Sequence, residues 1–426
     1  MTATATSTPP PAAPKTAGGK GGRTRLSLPW ILLIVAGGLI ALSAVRAITG
    51  AQDLTSAGQI NAALSLAVPI GLAGLGGLWS ERAGVVNIGL EGMMILGTWG
   101  AAFCAYYWGP WVGILGAIVA GVIGGLIHAV ATVIFGVDHI VSGVALNIIG
   151  AGTAKYLAAR FFAPMPGGGP TQSPPLPELP SLSLPVISDA LGNLEQQHIF
   201  FISDLAGILR GFVTNVSVLT LLAVALFGVT AWVLWRTAFG LRLRSVGESP
   251  VAAETLGVNV LRYKFVAVLV SGGMAGLGGG FLSLVAANIY RDGQTGGRGY
   301  IGLAAMIFGN WRPGGLLAGS ALFGYTDAIQ LRGGGTTVHA FLLLFAVVLL
   351  AVGIWQIVRN HRRIQGGLAI VAAVVTGIWY AATDVVPAEL TGMTPYVTTL
   401  LVLAFASQRL RMPAADGQIY RKGEGQ

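Results

Sequence analysis

The sequence predicts an all-α fold, a polytopic transmembrane helical bundle of about 10–12 spans. Of its 426 residues, 54% are hydrophobic and only 10% are charged, whereas about a quarter of the residues in a soluble domain carry charge. The apolar residues form long runs, most of them close to the ~20 residues that cross the hydrocarbon core as a helix. The 64 glycines fit the same class, because small residues let helix backbones approach each other in lipid.

One membrane domain, residues 30–408, is predicted between two short tails. Residues 1–29 are rich in Pro, Ala, Thr and Gly and become basic towards their end, which predicts a disordered tail. The apolar run 30–49 is about twenty residues long and many others follow it, so it is interpreted as a first span rather than a signal peptide. Residues 409–426 are predicted to form the second tail.

Further apolar runs predict the remaining spans. They occupy roughly 60–79, 84–107, 111–135, 139–159, 214–235, 264–289, 339–358, 367–385 and 394–408. Two shorter apolar pieces lie between 299 and 331, separated by "NWRPGG". Short pieces broken by Gly and Pro predict helices that are interrupted or re-entrant within the membrane.

The formal net charge of +9 indicates topology rather than nucleic-acid binding, because the basic residues lie in short flanks between apolar runs. Apart from the two tails, they concentrate in the loop 236–263 and in "RNHRR" at 359–363. Placing these segments in the cytoplasm puts the proline-rich loop 160–213 outside. Both termini are then cytoplasmic, and the stretch 299–331 must be crossed an even number of times.

An internal repeat is predicted from two similar stretches, "NIGLEGMMIL" (87–96) and "YIGLAAMIFG" (300–309). Each follows a segment that contains Gly-Leu-Gly-Gly, at 74–77 and at 276–279. The first copy begins inside and the second outside in the predicted topology, which makes the pair an inverted repeat. Many transporters place their substrate path where such repeats meet.

Four polar residues lie within apolar runs and are candidates for the substrate pathway. Asn87 and Glu91 are four apart, so on a helix they would share a face. Because a carboxylate in lipid is costly, Glu91 should face a wet cavity, a partner group or a helix end. Ser142 and Asn147, in "DHIVSGVALN", pose the same choice. Helix capping and inter-helix hydrogen bonding are the structural alternative for all four.

The loop 240–264, "GLRLRSVGESPVAAETLGVNVLRYK", predicts a short helix with Pro250 in its first turn and Gly257 at its end. It is either a helix at the lipid headgroups or a docking element for a soluble partner. The chain contains no phosphate-binding loop, nucleophile elbow or paired catalytic carboxylates. His128 and His139 lack ligand-spaced neighbours, and Cys104 is expected to be a packing residue. The sequence therefore predicts no metal, no cofactor and no enzyme activity.

Five stretches of the sequence form a characteristic set: "SERAGVVNIGLEGMM", "DHIVSGVALN", "GLRLRSVGESPVAAETLGVNVLRYK", "SGGMAGLGGGFLSL" and "GRGYIGLAAMIFGNWRPGG". Together they resemble the permease subunits of bacterial ABC importers, in the nucleoside branch of the ribose and branched-chain amino acid permease family. The resemblance covers about 60–338 and resumes near "VPAELTGMTPYVTTLLVLA" (386–404).

The resemblance implies a subunit of the bacterial cytoplasmic membrane that works with other chains. These are ABC ATPase subunits bound through the loop helix, a second similar permease in a heterodimer, and an extracellular lipid-anchored substrate-binding protein. The four polar residues would lie along or beside the path. The residues implied for ATPase coupling are Gly247, Glu248, Pro250, Ala252, Ala253, Glu254 and Gly257.

The sequence departs from the family pattern in two respects. The spans 30–49 and 339–385 look additional to the family core, and His139 stands where relatives are expected to carry Gln. Two alternatives to nucleoside import stay open: a permease for ribose or another simple sugar, and an ion-coupled secondary transporter, which inverted repeats and a membrane Glu also suit. A membrane scaffold is a third, non-transport interpretation.

Overall fold

The computed structural model describes residues 28–359, 361–395, 397–400 and 410–423. Helices make up most of this part of the chain, as the apolar runs predict. They are α1 (Leu28–Thr49), α2 (Ala57–Arg82), α3 (Leu90–Trp108), α4 (Pro110–Ala129), α5 (His139–Leu157), α6 (Pro185–Gln196), α7 (Ile202–Val213), α8 (Val218–Arg236), α9 (Ala238–Glu248), α10 (Pro250–Thr255), α11 (Val260–Phe281), α12 (Arg298–Phe308), α13 (Pro313–Ala328), α14 (Gly334–Val358), α15 (Arg363–Ala382) and α16 (Ala388–Thr391).

Small irregular elements extend or connect these helices. The strands β1 (Ser181–Leu182) and β2 (Val216–Ser217) pair antiparallel, with Ser181 opposite Ser217. A 3₁₀ turn covers Gln52–Leu54. The helices α4, α5, α11 and α13 each continue into a π-helical turn, at Val130–Ile134, Ala158–Phe162, Leu282–Ala286 and Ile329–Gly333.

Seven segments of the described chain are long and apolar enough to cross a membrane, which confirms the predicted polytopic bundle. One of them, Pro313–Val358, joins α13 and α14. The seven are Ala57–Arg82, Pro110–Ile134, His139–Phe162, Val218–Arg236, Val260–Ala286, Pro313–Val358 and Arg363–Ala382. The predicted run 394–408 falls largely outside the described residues.

The centre of the bundle is the crossing of α2 and α11. A Cβ on Gly76 would lie 2.5 Å from the carbonyl oxygen of Ser271, and a Cβ on Gly278 would lie 3.0 Å from that of Pro69. Residue numbers rise on one helix as they fall on the other, so the two glycine-rich helices run antiparallel. This is the arrangement that an inverted repeat of the two segments predicts.

The helices α12 and α13 form a pair that turns within the bundle. With 11 residues, α12 is about 17 Å long, too short to cross the hydrocarbon core. The turn after it lies beside the end of α2, where Arg82 donates to the carbonyl oxygen of Trp311 at 2.6 Å. The far end of α13 lies by the start of α2, since the Tyr325 hydroxyl donates to Leu54 O at 2.6 Å. The predicted interrupted helices are confirmed.

Two parts of the sequence prediction are wrong in detail. The run 84–107 is not one helix, because α3 begins only at Leu90. Asn87 therefore lies before the helix and does not share a helical face with Glu91. The loop 236–263 holds a second helix, α9, in addition to the predicted short helix.

Candidate functional site

The non-helical segment 83–89, the α2–α3 break, is buried in the bundle interior. Gly84 has φ +80°, a conformation that glycine adopts without the penalty a Cβ brings. Irregular backbone at membrane depth is tolerated where other groups satisfy its polar atoms. Here three distant side chains do so: Lys264 Nζ donates to Gly84 O (3.1 Å), His128 Nε2 lies 3.2 Å from Val86 O, and Asn147 Nδ2 donates to Ile88 O (3.0 Å).

Glu91, in the first turn of α3, caps the N-terminus of α12. Its Oε1 accepts from the Gly297 backbone N–H at 3.0 Å, and its Oε2 accepts from that of Gly299 at 2.7 Å. A helix N-terminus favours an acidic group because its first N–H groups are unpaired and its dipole is positive there. The helices α3 and α12 thus meet with their N-termini at one carboxyl group.

Asn147 of α5 joins the same cluster. Its Oδ1 accepts from the Gly92 backbone N–H at 2.7 Å, and its Nδ2 donates to the Tyr300 hydroxyl at 2.8 Å. Asn147 therefore caps α3 while it holds the first turn of α12. Tyr300 is 46% exposed in this chain, so its hydroxyl and Asn147 form a polar pair at the edge of the cluster.

The other two candidates are Ser142 of α5 and Asn87, which lies within the break itself. The Ser142 hydroxyl is 2.9 Å from His128 Nδ1, and His128 in turn contacts Val86. Asn87 is fully buried, and its Nδ2 donates to the Ser271 hydroxyl at 2.8 Å. All four sequence candidates therefore gather around the α2–α3 break. Their hydrogen bonds cap helices and join one helix to another, as the structural alternative to a pathway role predicts.

The helix α10 forms the predicted short element. Pro250 begins it, and Gly257 follows it with φ +81°. Ala253 is buried against Val246 and Val260, which fixes the helix to α9 and α11. Its outer side exposes Val251 (43%) and Leu256 (85%). Leu256, which sequence reasoning overlooked, is a large apolar side chain at the tip of this surface.

The end of α9 packs directly on the α2–α3 break. A Cβ on Gly247 would lie 2.3 Å from the Arg82 carbonyl oxygen and 3.1 Å from Gly84 N. Only glycine permits this approach. Glu248, the next residue, is 3.8 Å from Arg82 across an ion pair. The α9–α10 pair is thus in contact with the cluster that contains Asn87 and Glu91.

Residues 410–423, the C-terminal segment, lie across the α9–α10 end of the molecule, where sequence reasoning expected only a tail. Ala415 N donates to Gly247 O at 2.9 Å, and Arg411 N donates to Asn310 Oδ1 at 2.8 Å. Lys264 Nζ, which satisfies Gly84, also donates to Gln418 O at 3.3 Å. The segment therefore connects α9, the α2–α3 break and the α12–α13 turn.

Asp416 is the buried titratable group of the C-terminal segment, with 8% of its surface exposed. Burial raises the pKa of its carboxyl group to about 7, although the Glu81 carboxyl, Lys264 and Arg82 beside it act to lower the pKa. This carboxyl group therefore gains or loses its proton near neutral pH, and it does so beside Glu81 and Arg82 at the end of α2.

Comparison with known proteins assigns the class. Residues 59–353 match the family described as branched-chain amino acid transport system / permease component. This is more than half of the chain, and the chain belongs to that family of multi-pass membrane permease components. No solved structure matches the chain.

Three relatives show which ABC transporter permeases this chain is similar to. The guanosine ABC transporter permease protein NupQ of Bacillus subtilis is 35% identical over 64% of this chain and 82% of its own length. The nucleoside ABC transporter permease protein NupC of Lactococcus lactis is 32% identical over 85% of this chain and 96% of its own. TsgC13 of Haloferax volcanii, named provisionally as a glucose ABC transporter permease, is 35% identical over 65% of this chain and 78% of its own.

Proposed function

We propose that this chain is the membrane-spanning permease subunit of an ATP-driven importer of nucleosides. The observation that carries the proposal is its similarity to a nucleoside permease over 85% of the chain. That match is longer than the family region 59–353. The family region itself reaches into the stretch 339–385 that looked additional to the family core.

A sugar is the second candidate substrate, because the relative named for glucose is as similar over 65% of the chain. Nucleosides and sugars share hydroxyl groups, and the polar pair Asn147–Tyr300 offers uncharged hydrogen-bonding partners of the kind that either would use. Two of the three relatives reported above are named for nucleosides, and one of these matches over 85% of the chain, which favours the nucleoside.

The partners follow from the class. We infer ATPase subunits at α10, a second, homologous permease that pairs with this chain as a heterodimer, and a lipid-anchored substrate-binding protein at the opposite end. The basic residues between the end of α8 and the first turn of α11 (Arg236, Arg242, Arg244, Arg262) support a position of the α10 end in the cytoplasm of the bacterial cell. Both tails are then cytoplasmic.

The geometry suggests how ATP hydrolysis in a partner would reach the pathway. A partner bound to Leu256 and Val251 moves α10, and α9 moves with it because Ala253 packs on Val246. Gly247 transmits the displacement to Arg82, and Arg82 holds the α12–α13 turn through Trp311 O. The helices α3 and α12, whose N-termini meet at Glu91, therefore respond together. The partner supplies the free-energy difference between the two states of the pathway.

Uptake measurements test this function. Cells that lack the native gene would express the wild-type chain, Leu256→Asp or Tyr300→Phe alongside the partner subunits, and uptake of labelled guanosine, adenosine, uridine and glucose would be compared. Leu256→Asp changes an 85% exposed side chain, so the protein should fold and reach the membrane while uptake is lost. Thr255→Asp, at an exposed neighbouring position, is the matched control for added charge.

The outcomes separate the alternatives. Nucleoside uptake that survives collapse of the proton gradient with ATP maintained, and that Leu256→Asp abolishes, supports the proposal. Uptake abolished by gradient collapse and indifferent to Leu256→Asp indicates a secondary transporter. Glucose uptake without nucleoside uptake would identify a sugar, and not a nucleoside, as the substrate. For Tyr300→Phe we expect a rise in KM of about tenfold, since one hydrogen bond is worth about 0.5–1.5 kcal/mol.

A further inference from the structure

The helix α7 is amphipathic with its apolar side turned away from the protein. Its exposed residues are all large and apolar, and they follow one helical stripe at spacings of three and four. They are Ile202 (48% exposed), Leu205 (38%), Leu209 (46%) and Phe212 (53%). A helix in contact with water shows the reverse pattern, so this stripe needs an apolar neighbour.

The buried side of α7 is small and polar. A Cβ on Gly207 would lie 2.5 Å from Thr55 O, and a Cβ on Gly211 would lie 2.6 Å from the Ile60 side chain. Asp204, which precedes both glycines, is buried, accepts from the Thr55 hydroxyl and pairs with Arg46 Nε at 2.8 Å. The helix therefore presents polar groups to the protein and apolar groups to its surroundings.

The helix α6 and the connection to α7 continue the same surface. Ser188 and Gly192 of α6 face inwards, whereas Ile187 (49%) and Leu194 (38%) are exposed. Phe200, in the connection, is 50% exposed. The pair α6–α7, residues 185–213, thus carries one apolar surface, which we name the hairpin stripe.

The depth of the hairpin follows from its contacts. Arg46 belongs to the last turn of α1, and Thr55 and Ile60 flank the start of α2. The hairpin therefore lies level with the last turn of α1 and with the start of the membrane span α2, where the hydrocarbon core meets the headgroups. Its ionic groups are compatible with this position, because Arg210 pairs with Glu195 at 3.0 Å and Asp204 pairs with Arg46.

We infer that the hairpin α6–α7 is seated in the membrane leaflet opposite the α10 end, with the hairpin stripe in the boundary between headgroups and acyl chains. Helices with a strong apolar side and a polar side lie in this way at bilayer surfaces. In the last turn of α1, which holds the Arg46 partner of Asp204, Ile48 is likewise apolar and 70% exposed. The segment predicted as an outer loop is thus a lipid-contacting part of the membrane domain.

Spin-label accessibility in lipid nanodiscs tests the inference. In a Cys104→Ala background, nitroxide labels would be placed at Leu205→Cys, Leu209→Cys and Phe212→Cys. The control positions are Asp189→Cys and Asn193→Cys, which are exposed on the polar side of α6. Relaxation by oxygen, which partitions into lipid, would be compared with relaxation by a water-soluble nickel chelate.

We expect the oxygen-to-nickel accessibility ratio at the stripe positions to exceed that at the control positions by about fivefold or more. Labelled variants must remain monodisperse, and the three stripe positions are tested independently so that loss of one variant leaves two. Equal ratios at the stripe and control positions would overturn the inference. High nickel accessibility at the stripe would then assign this surface to a soluble protein partner instead.

Discussion

At the scale of single residues, Glu91 shows how a carboxyl group is accommodated within a membrane protein. Both of its oxygens accept backbone hydrogen bonds from the start of α12. The first N–H groups of a helix have no hydrogen-bond acceptor within the helix, and a buried acidic group needs donors. Here each supplies the partner that the other needs. This contact answers why a glutamate is found in an apolar run.

The change Glu91→Gln should lower the stability of the protein by about 1.5–3 kcal/mol, the usual value of hydrogen bonds to a charged group. The glutamine side chain has one acceptor oxygen, and its NH₂ group would face an N–H of α12. Thermal unfolding in detergent measures the effect. The control is Glu178→Gln at an exposed position, for which we expect a change within about 0.5 kcal/mol. Equal effects of the two changes would contradict the capping role.

At the scale of helices, the stripe of glycines in α11 determines how three helices pack. A Cβ on Gly276 would lie 2.3 Å from Ala117 O of α4, and a Cβ on Gly97 of α3 would lie 2.2 Å from Gly276 O. The backbones are therefore in direct contact, which is the packing mode expected of small residues in lipid.

The substitution of alanine for glycine should have opposite effects at two helical positions. Gly276→Ala places a methyl group against backbone that cannot move aside, and we expect a loss of at least about 1–3 kcal/mol, the cost of overpacking. Gly228→Ala on α8, where no atom lies within 4 Å of the new Cβ, should be neutral or stabilising by up to about 1 kcal/mol, because alanine favours helix. The unfolding midpoints of the two variants measure the difference. A similar loss for both would show that the contact is not tight.

At the scale of the whole molecule, the C-terminal segment closes the α9–α10 end around Asp416. The carboxyl group has a pKa of about 7 in the docked segment because burial disfavours its charged form, against about 3.9 in a free chain. Because the docked state then holds its proton more tightly, docking is strongest below about pH 4 and weakens as the pH rises to about 7.

This pH dependence is measurable with a spin label at Lys422→Cys in a Cys104→Ala background. We expect the label to become more mobile between pH 5 and pH 8. The isosteric change Asp416→Asn removes the titrating group and should flatten the response, with Asp189→Asn, at an exposed position on α6, as the control. The same response in Asp416→Asn and the parent would assign the effect to another group, such as Glu81.

The sequence predicts the helices well because long apolar runs have few alternatives to spanning a bilayer. Pro250 and Gly257 likewise mark the ends of α10 by local backbone chemistry. The α2–α3 break was missed because its stretch is as apolar as a helix. What permits it is hydrogen bonding from Lys264 and Asn147, which lie far away along the chain.

The sequence predicts which polar residues form the candidate site, but it does not predict which groups they contact. Asn87, Glu91, Ser142 and Asn147 stood out as polar residues among apolar ones, and they do gather in one place. Tyr300 gave no such signal, since an aromatic residue at a helix start is ordinary. The C-terminal segment was also missed, because backbone hydrogen bonds such as that from Ala415 N to Gly247 O depend little on residue type.

The position of the C-terminal segment has a consequence for biogenesis. Residues 410–423 are synthesised after every helix described here, yet they contact α9, the α2–α3 break and the α12–α13 turn together. The α10 end is therefore finished only when translation of this stretch is complete. A chain cut short before Leu410 would present α10 without this support, so the partner assembly that we propose at that end would distinguish finished from unfinished chains.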